Sequence, residues 1–137
     1  MAITRVRELM SDRLVRIPAG ERLSTVEDIM TLGGVRHMPV VKGGRLVGVV
    51  SERDLLRASL SALSGVATEE RRAFLHAVEI SQVMSEPPIT IGPDEQVEDA
   101  AHLMAEHKIG CLPVVEKDEL LGMITETDLL RYFAGLT

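Results

Sequence analysis

The 137-residue chain carries a formal net charge of −6, is 45% hydrophobic and has a single cysteine, Cys111. The acidic balance argues against non-specific nucleic-acid binding, which needs a basic surface, and one thiol excludes an intrachain disulfide and any four-cysteine metal site. MAITRVRELMSDR has no apolar run of signal-peptide length, and no stretch reaches the roughly 18 uninterrupted apolar residues of a membrane helix, so a cytoplasmic protein without membrane or nucleic-acid partner is expected.

LVRI (14–17) is predicted to be a short extended segment. Leu23, Val26, Ile29 and Met30 then recur at helical spacing, with Ser24 or Thr25 suited to begin that helix. MPVV and LVGVV follow, separated by Gly43-Gly44, which reads as a strand–turn–strand hairpin. Ser51 stands where the next helix starts, a good N-cap with acids in the turn after it. Between about 58 and 79, TEERRAFLHAV predicts an extra helix with Phe74, Leu75 and Val78 as its apolar stripe, acting as a connector. The order then repeats. ITI (89–91) is extended, Pro93-Asp94-Glu95 suits a helix start, and Val97, Ala100, Ala101, Leu103 and Met104 keep helical spacing. LPVV and LLGMI flank Lys117-Asp118, and Thr125 caps a last helix.

Displaced by 74 residues, the chain aligns on itself without a gap, Val6–Ser59 on Ile80–Phe133, and 15 of the 54 pairs are identical. A segment of this size buries little surface alone, whereas two copies can share a core. The chain is therefore read as an α+β protein of two pseudo-twofold β-α-β-β-α repeats, 1–59 and 80–137, joined by a helical connector at 60–79.

The pattern that recurs most fully is Gly48-Val49-Val50-Ser51-Glu52-Arg53-Asp54 and Gly122-Met123-Ile124-Thr125-Glu126-Thr127-Asp128. A hydroxyl at a helix N-cap, with free N–H groups and the helix dipole beside it, suits a phosphate. An Asp three residues on lies one turn away on the same face, and a carboxylate accepts the two hydrogen bonds of a ribose diol. Gly48 and Gly122 allow another segment to approach the hairpin closely. A plainer reading treats Ser51 and Thr125 as helix caps and Asp54 and Asp128 as first-turn acids.

With the hydrophobic-Pro-Val of Met38-Pro39-Val40 and Leu112-Pro113-Val114 in front of each copy, the chain resembles a CBS-domain pair, or Bateman module. The resemblance covers nearly the whole chain, and KIGCLPVV…GMITETDLLR is especially similar to stand-alone bacterial proteins related to acetoin-utilisation CBS proteins. It implies tandem repeats forming one module that binds AMP, ADP or ATP, with S-adenosylmethionine also admitted, in two crossed clefts. One site would use Met10, Val15, Val35, Arg36 and His37 with Met123, Thr125, Thr127 and Asp128. The other would use Met84, Ile89, Ile109 and Gly110 with Val49, Ser51, Arg53 and Asp54. Basic residues before the hydrophobic-Pro-Val often meet phosphates in the family. Arg36 and His37 keep that feature and Gly110 and Cys111 depart from it, which favours the first site for a multiply charged phosphate. The resemblance further implies a homodimer packed through the helices, for which Leu55-Leu56, Leu129-Leu130 and the terminal YFAGL offer apolar faces.

No nucleophile elbow, P-loop or metal-binding His pair is present. No catalytic residue, metal ligand or required cofactor is assigned, and two ligands, His37 and Cys111, make a poor zinc site. The expected function is an adenine-nucleotide-sensing regulatory module without turnover, acting on an unidentified protein partner. The alternative is a ligand-independent dimerising scaffold.

Overall fold

The computed structural model describes residues 3–63 and 68–136. Residues 64–67 of the expected connector lie outside the described residues. The chain separates into two compact units, Val15–Pro87 and Met1–Leu14 with Pro88–Thr137. Each mixes helices and strands.

In the Val15–Pro87 unit, β1 (Ile17–Pro18) pairs in parallel with β2 (His37–Lys42), and β2 pairs antiparallel with β3 (Arg45–Ser51). Of the extended segment expected at 14–17, only Ile17 enters the sheet. The hairpin turns at Gly43 and Gly44 with φ of 58° and 78°, the left-handed pair that matches the twist of the flanking strands. Helix α2 (Leu23–Gly33) buries Leu23, Val26 and Met30, and α3 (Glu52–Leu63) adds Leu55 to the same core as Met38, Val40 and Val50. The connector helix α4 (Thr68–Ala77) docks Leu75, fully buried, with Phe74 and Val78 packed beside it. Helix α2 starts earlier than Ser24 or Thr25 would set it, because the Leu23 N–H donates to the Val78 carbonyl at 3.0 Å. Ser24 instead meets His76 Nδ1 at 3.4 Å.

In the other unit, α5 (Val97–His107) packs Val97, Ala100 and Met104 against the hairpin of β4 (Cys111–Glu116) and β5 (Glu119–Thr125). Helix α6 (Glu126–Phe133) contributes Leu129. Lys117 and Asp118 make the hairpin turn at φ of 52° and 65°. Ile91 is the part of ITI that pairs, as an isolated parallel bridge to Val114. Gln96, rather than the Pro93–Glu95 run, caps α5, and the Gln96 N–H donates to the Asp99 carboxylate at 3.1 Å. Asp94 is drawn aside: its carboxylate accepts from Arg7 Nε at 2.8 Å, and its carbonyl accepts from Arg5 at 3.0 Å.

The compact units do not coincide with the sequence repeats at their leading ends. Helix α1 (Val6–Leu9) and the 3₁₀ turn Ile80–Gln82 are equivalent in the repeat. Yet Val6 joins the core of the β4–β5 unit, and Ile80 joins the core of the β2–β3 unit. Each hairpin is thus closed by the segment that opens the opposite copy. Backbone bonds hold the exchange: the Val6 N–H donates to the Glu95 carbonyl and the Ile80 N–H to the Glu21 carbonyl, both at 2.9 Å. Leu55 and Leu129 are spent on these cores, while Leu56, Leu130, Phe133 and Leu136 stay exposed. Among the described residues, no helix is long and apolar enough to cross a membrane.

Candidate functional site

Each hairpin ends in the same local device. In the β2–β3 unit, Ser51 closes β3 and caps α3. The Asp54 N–H donates to Ser51 Oγ at 3.0 Å, and the Ser51 N–H donates to Asp54 Oδ2 at 2.9 Å. In the β4–β5 unit, the Asp128 N–H donates to Thr125 Oγ1 at 3.3 Å, and the Thr125 N–H donates to Asp128 Oδ2 at 2.8 Å. Thr125 Oγ1 also donates to that carboxylate oxygen, at 3.0 Å. These are reciprocal capping boxes with Asp in the position usually held by Glu or Gln. Hydroxyl and carboxylate therefore share one face, as the spacing predicts, and both already perform the structural work of caps.

The helix starts offer less free backbone than expected. The Glu52 N–H donates to the Arg36 carbonyl at 2.8 Å, and the Glu126 N–H to the Gly110 carbonyl at 2.9 Å. With the third amide taken by the cap, the N–H groups of Arg53 and Thr127 are the ones left open in the first turn, one for each helix. The same bonds place Arg36 and Gly110 next to the caps of their own units. His37 stands opposite Ser51 in the ladder, and Cys111 opposite Thr125.

The two glycines admit the segments that close the hairpins. A Cβ on Gly48 would lie 2.7 Å from Met84 Sδ and 2.9 Å from the Ser85 carbonyl oxygen. One on Gly122 would lie 2.6 Å from the Ser11 carbonyl oxygen and 2.9 Å from Met10 Sδ. Val49 and Ser85 exchange backbone bonds at 3.1 and 2.9 Å, and Met123 and Ser11 do so at 2.9 Å each. Met84 therefore joins Val49, Ser51 and Asp54 in one unit, and Met10 joins Met123, Thr125 and Asp128 in the other.

The remaining assigned residues divide by unit. Val15, Val35, Arg36, His37 and Arg53 belong to the Val15–Pro87 unit, and Ile89, Ile109, Gly110 and Thr127 belong to the other. Arg36, Arg53 and Thr127 are exposed. Met10, Met84, Val35, Val49, Ile89 and Ile109 are half-buried, and Met123 is buried. Sequence reading missed Ser85. Its Oγ donates to both Asp54 oxygens, at 3.2 and 3.4 Å. The identical pairs Met10-Ser11 and Met84-Ser85 mark the position, but the sequence does not show what it faces.

Away from these devices, Thr90, Gly92, Glu95, Asp99, His102 and Leu103 line a shallow groove in the β4–β5 unit. None of the assigned residues belongs to it. His76, His102 and His107 are exposed. Among the described residues, no group of three or more His, Cys, Asp or Glu side chains could hold a metal ion. The Asp94 carboxyl is held below the usual range first by its hydrogen bond from Arg7 and then by that guanidinium's charge.

The repeat, the two capped Asp motifs and the exchanged segments together carry the comparison with known proteins. The family model described as CBS domain matches twice, over residues 6–61 and 80–135. The chain belongs to the CBS domain family. A relative, the uncharacterised protein MJ1225 of Methanocaldococcus jannaschii, is 36% identical over 126 residues. The match covers 90% of this chain and 44% of that protein. Among solved structures, a protein of Vibrio cholerae described as an acetoin utilization protein is similar, with a TM-score of 0.78 and 29% identity. That match covers 98% of this chain and 93% of the other. The CBS domain pair of protein MJ0100, in complex with 5′-methylthioadenosine and S-adenosyl-L-methionine, is similar with a TM-score of 0.83 and 25% identity. It covers 99% of this chain and all of that one (100%).

Proposed function

We propose that the protein is a cytoplasmic regulatory module that binds adenine nucleotides of the AMP, ADP or ATP class and has no turnover of its own. Asp128 carries the reading. Its Oδ2 is engaged by Thr125, while its Oδ1 makes no hydrogen bond among the described residues. A half-buried carboxylate with an open oxygen, beside a hydroxyl and the unpaired Thr127 N–H, suits a ribose diol next to a phosphate. The 5′-methylthioadenosine and S-adenosyl-L-methionine of the MJ0100 domain pair support an adenosine-containing ligand, and S-adenosylmethionine stays admitted beside the nucleotides. Ligand binding would act by favouring one packing of the module over another, changing a surface that a partner protein reads. The exposed Leu56, Leu130 and Phe133 are proposed as the homodimer faces on α3 and α6.

The capping boxes favour a second reading, a ligand-independent scaffold, because they give Ser51, Asp54, Thr125 and Asp128 a structural task. Calorimetry of the stripped protein with AMP, ADP, ATP and S-adenosylmethionine separates the two. Asp128→Asn is expected to abolish one saturable binding event and Asp54→Asn the other. Arg36→Ala and Arg53→Ala, whose side chains make no hydrogen bond or ion pair among the described residues, are expected to weaken binding of ATP more than of AMP. No heat and no thermal shift with any of the four ligands would establish the scaffold.

A further inference from the structure

We infer that Ser85 is a built-in competitor for the ligand hydroxyls at Asp54, so that the two motif carboxylates are unequal binding groups. The inference rests on the nucleotide reading of the motif. A diol needs an acceptor on the carboxylate for each hydroxyl. At Asp128 the open Oδ1 keeps both of its lone pairs for them. At Asp54 neither oxygen is open: Oδ2 accepts from the Ser51 N–H at 2.9 Å, and Ser85 Oγ sits 3.2 Å from Oδ1 and 3.4 Å from Oδ2. Asp54 is also the more enclosed group, 9% exposed, whereas Ser85 is an exposed residue at its side. The Ser85 hydroxyl is thus placed where an incoming hydroxyl must go, and it can turn out to water when displaced.

The difference does not come from the backbone. Ser11 holds the equivalent position, and its N–H and carbonyl make the same two bonds to Met123 that Ser85 makes to Val49. No side-chain hydrogen bond joins Ser11 to Asp128 among the described residues. Asp128 is served instead by Thr125 Oγ1 at 3.0 Å, a bond that Ser51 does not make to Asp54. A bond from Ser85 to a carboxylate must be exchanged for one from the ligand, and the exchange lowers affinity at Asp54 while leaving Asp128 untouched.

The test is calorimetry with AMP in two backgrounds. With Asp128→Asn present to isolate the Asp54 group, Ser85→Ala is expected to tighten AMP binding by about three- to tenfold, the range of one net hydrogen bond. With Asp54→Asn present, Ser11→Ala is expected to change it less than about twofold. Unchanged or weaker binding in Ser85→Ala overturns the inference, since weaker binding makes Ser85 a ligand contact. Urea denaturation of the ligand-free single variants reads the contact without nucleotide. Ser85→Ala is expected to lower the midpoint more than Ser11→Ala, and equal midpoints overturn the inference. AMP binding at Asp128 with no gain in Ser85→Ala sinks the inference alone, whereas no binding in any variant sinks the nucleotide reading and the competition with it.

Discussion

Replacing Gly122 by Ala tests the closest approach in either unit. The new Cβ would stand 2.6 Å from the Ser11 carbonyl oxygen, 2.9 Å from Met10 Sδ and 3.2 Å from Met10 Cγ. The methionine can move, because its thioether chain is flexible. The Ser11 carbonyl cannot do so freely: it accepts from the Met123 N–H at 2.9 Å, and the Ser11 N–H donates back at 2.9 Å. Relief must push the 10–11 segment off β5. Overpacking of this kind costs about 1–3 kcal/mol, and each weakened backbone bond adds about 0.5–1.5 kcal/mol. The stiffer unfolded chain of an Ala variant returns about 0.4–1 kcal/mol. The net expectation is a loss of about 2–4 kcal/mol. Gly48→Ala should cost less, about 1–3 kcal/mol, because its nearest atom is the mobile Met84 sulfur at 2.7 Å and the Ser85 carbonyl lies farther off at 2.9 Å. Gly20 provides the control, with nothing within 4 Å of an added Cβ and no left-handed φ. Urea denaturation followed by circular dichroism should rank Gly122→Ala as most destabilised, then Gly48→Ala, with Gly20→Ala near or above wild type. A Gly122→Ala protein within about 0.5 kcal/mol of Gly20→Ala would refute the claim that close backbone approach is why glycine stands there.

Loss of the cap hydroxyl in Ser51→Ala or Thr125→Ala should cost about 1 kcal/mol each in the same assay, with Thr125→Ala the larger because it also removes a bond to Asp128. The Arg7–Asp94 pair should give a pH signature. The Asp94 carboxyl is held low in the folded state, chiefly by the Arg7 hydrogen bond. Its stabilisation is therefore present above the unfolded carboxyl pKa and disappears as pH falls through the lower, folded value. The stability difference between wild type and Asp94→Asn should be visible at pH 7 and absent in strong acid. Leu130→Glu combined with Phe133→Glu, at positions 69% and 57% exposed, should leave the denaturation midpoint of the monomer nearly unchanged. The pair should shift the sedimentation coefficient toward the monomer if α6 forms the dimer face.

The local geometry of the candidate site was legible because its signals are local. Ser51 to Asp54 and Thr125 to Asp128 are one helical turn apart, and no tertiary contact is needed to put hydroxyl and carboxylate on one face. The helix starts were less legible. Arg22 and Gln96 cap α2 and α5 because the long-range bonds of Leu23 to Val78 and of Val97 to Thr4 decide where the first turn begins. Asp94, which looks like a cap in sequence, answers to Arg7, a partner 87 residues away in the chain.

The sequence by itself determined the duplication, the order of elements, the two hairpins and the repeated capped Asp, since these follow from periodicity, turn chemistry and spacing within a few residues. Only the tertiary structure decided which segment closes which hairpin. The exchange of Val6–Ser11 and Ile80–Ser85 between the sequence repeats is invisible when the two leading segments are equivalent, because either would satisfy the same apolar face. The structure alone also separated Asp54 from Asp128. Both are an Asp three residues after a capping hydroxyl, and they differ in whether a serine hydroxyl from 31 residues further along the chain reaches the carboxylate.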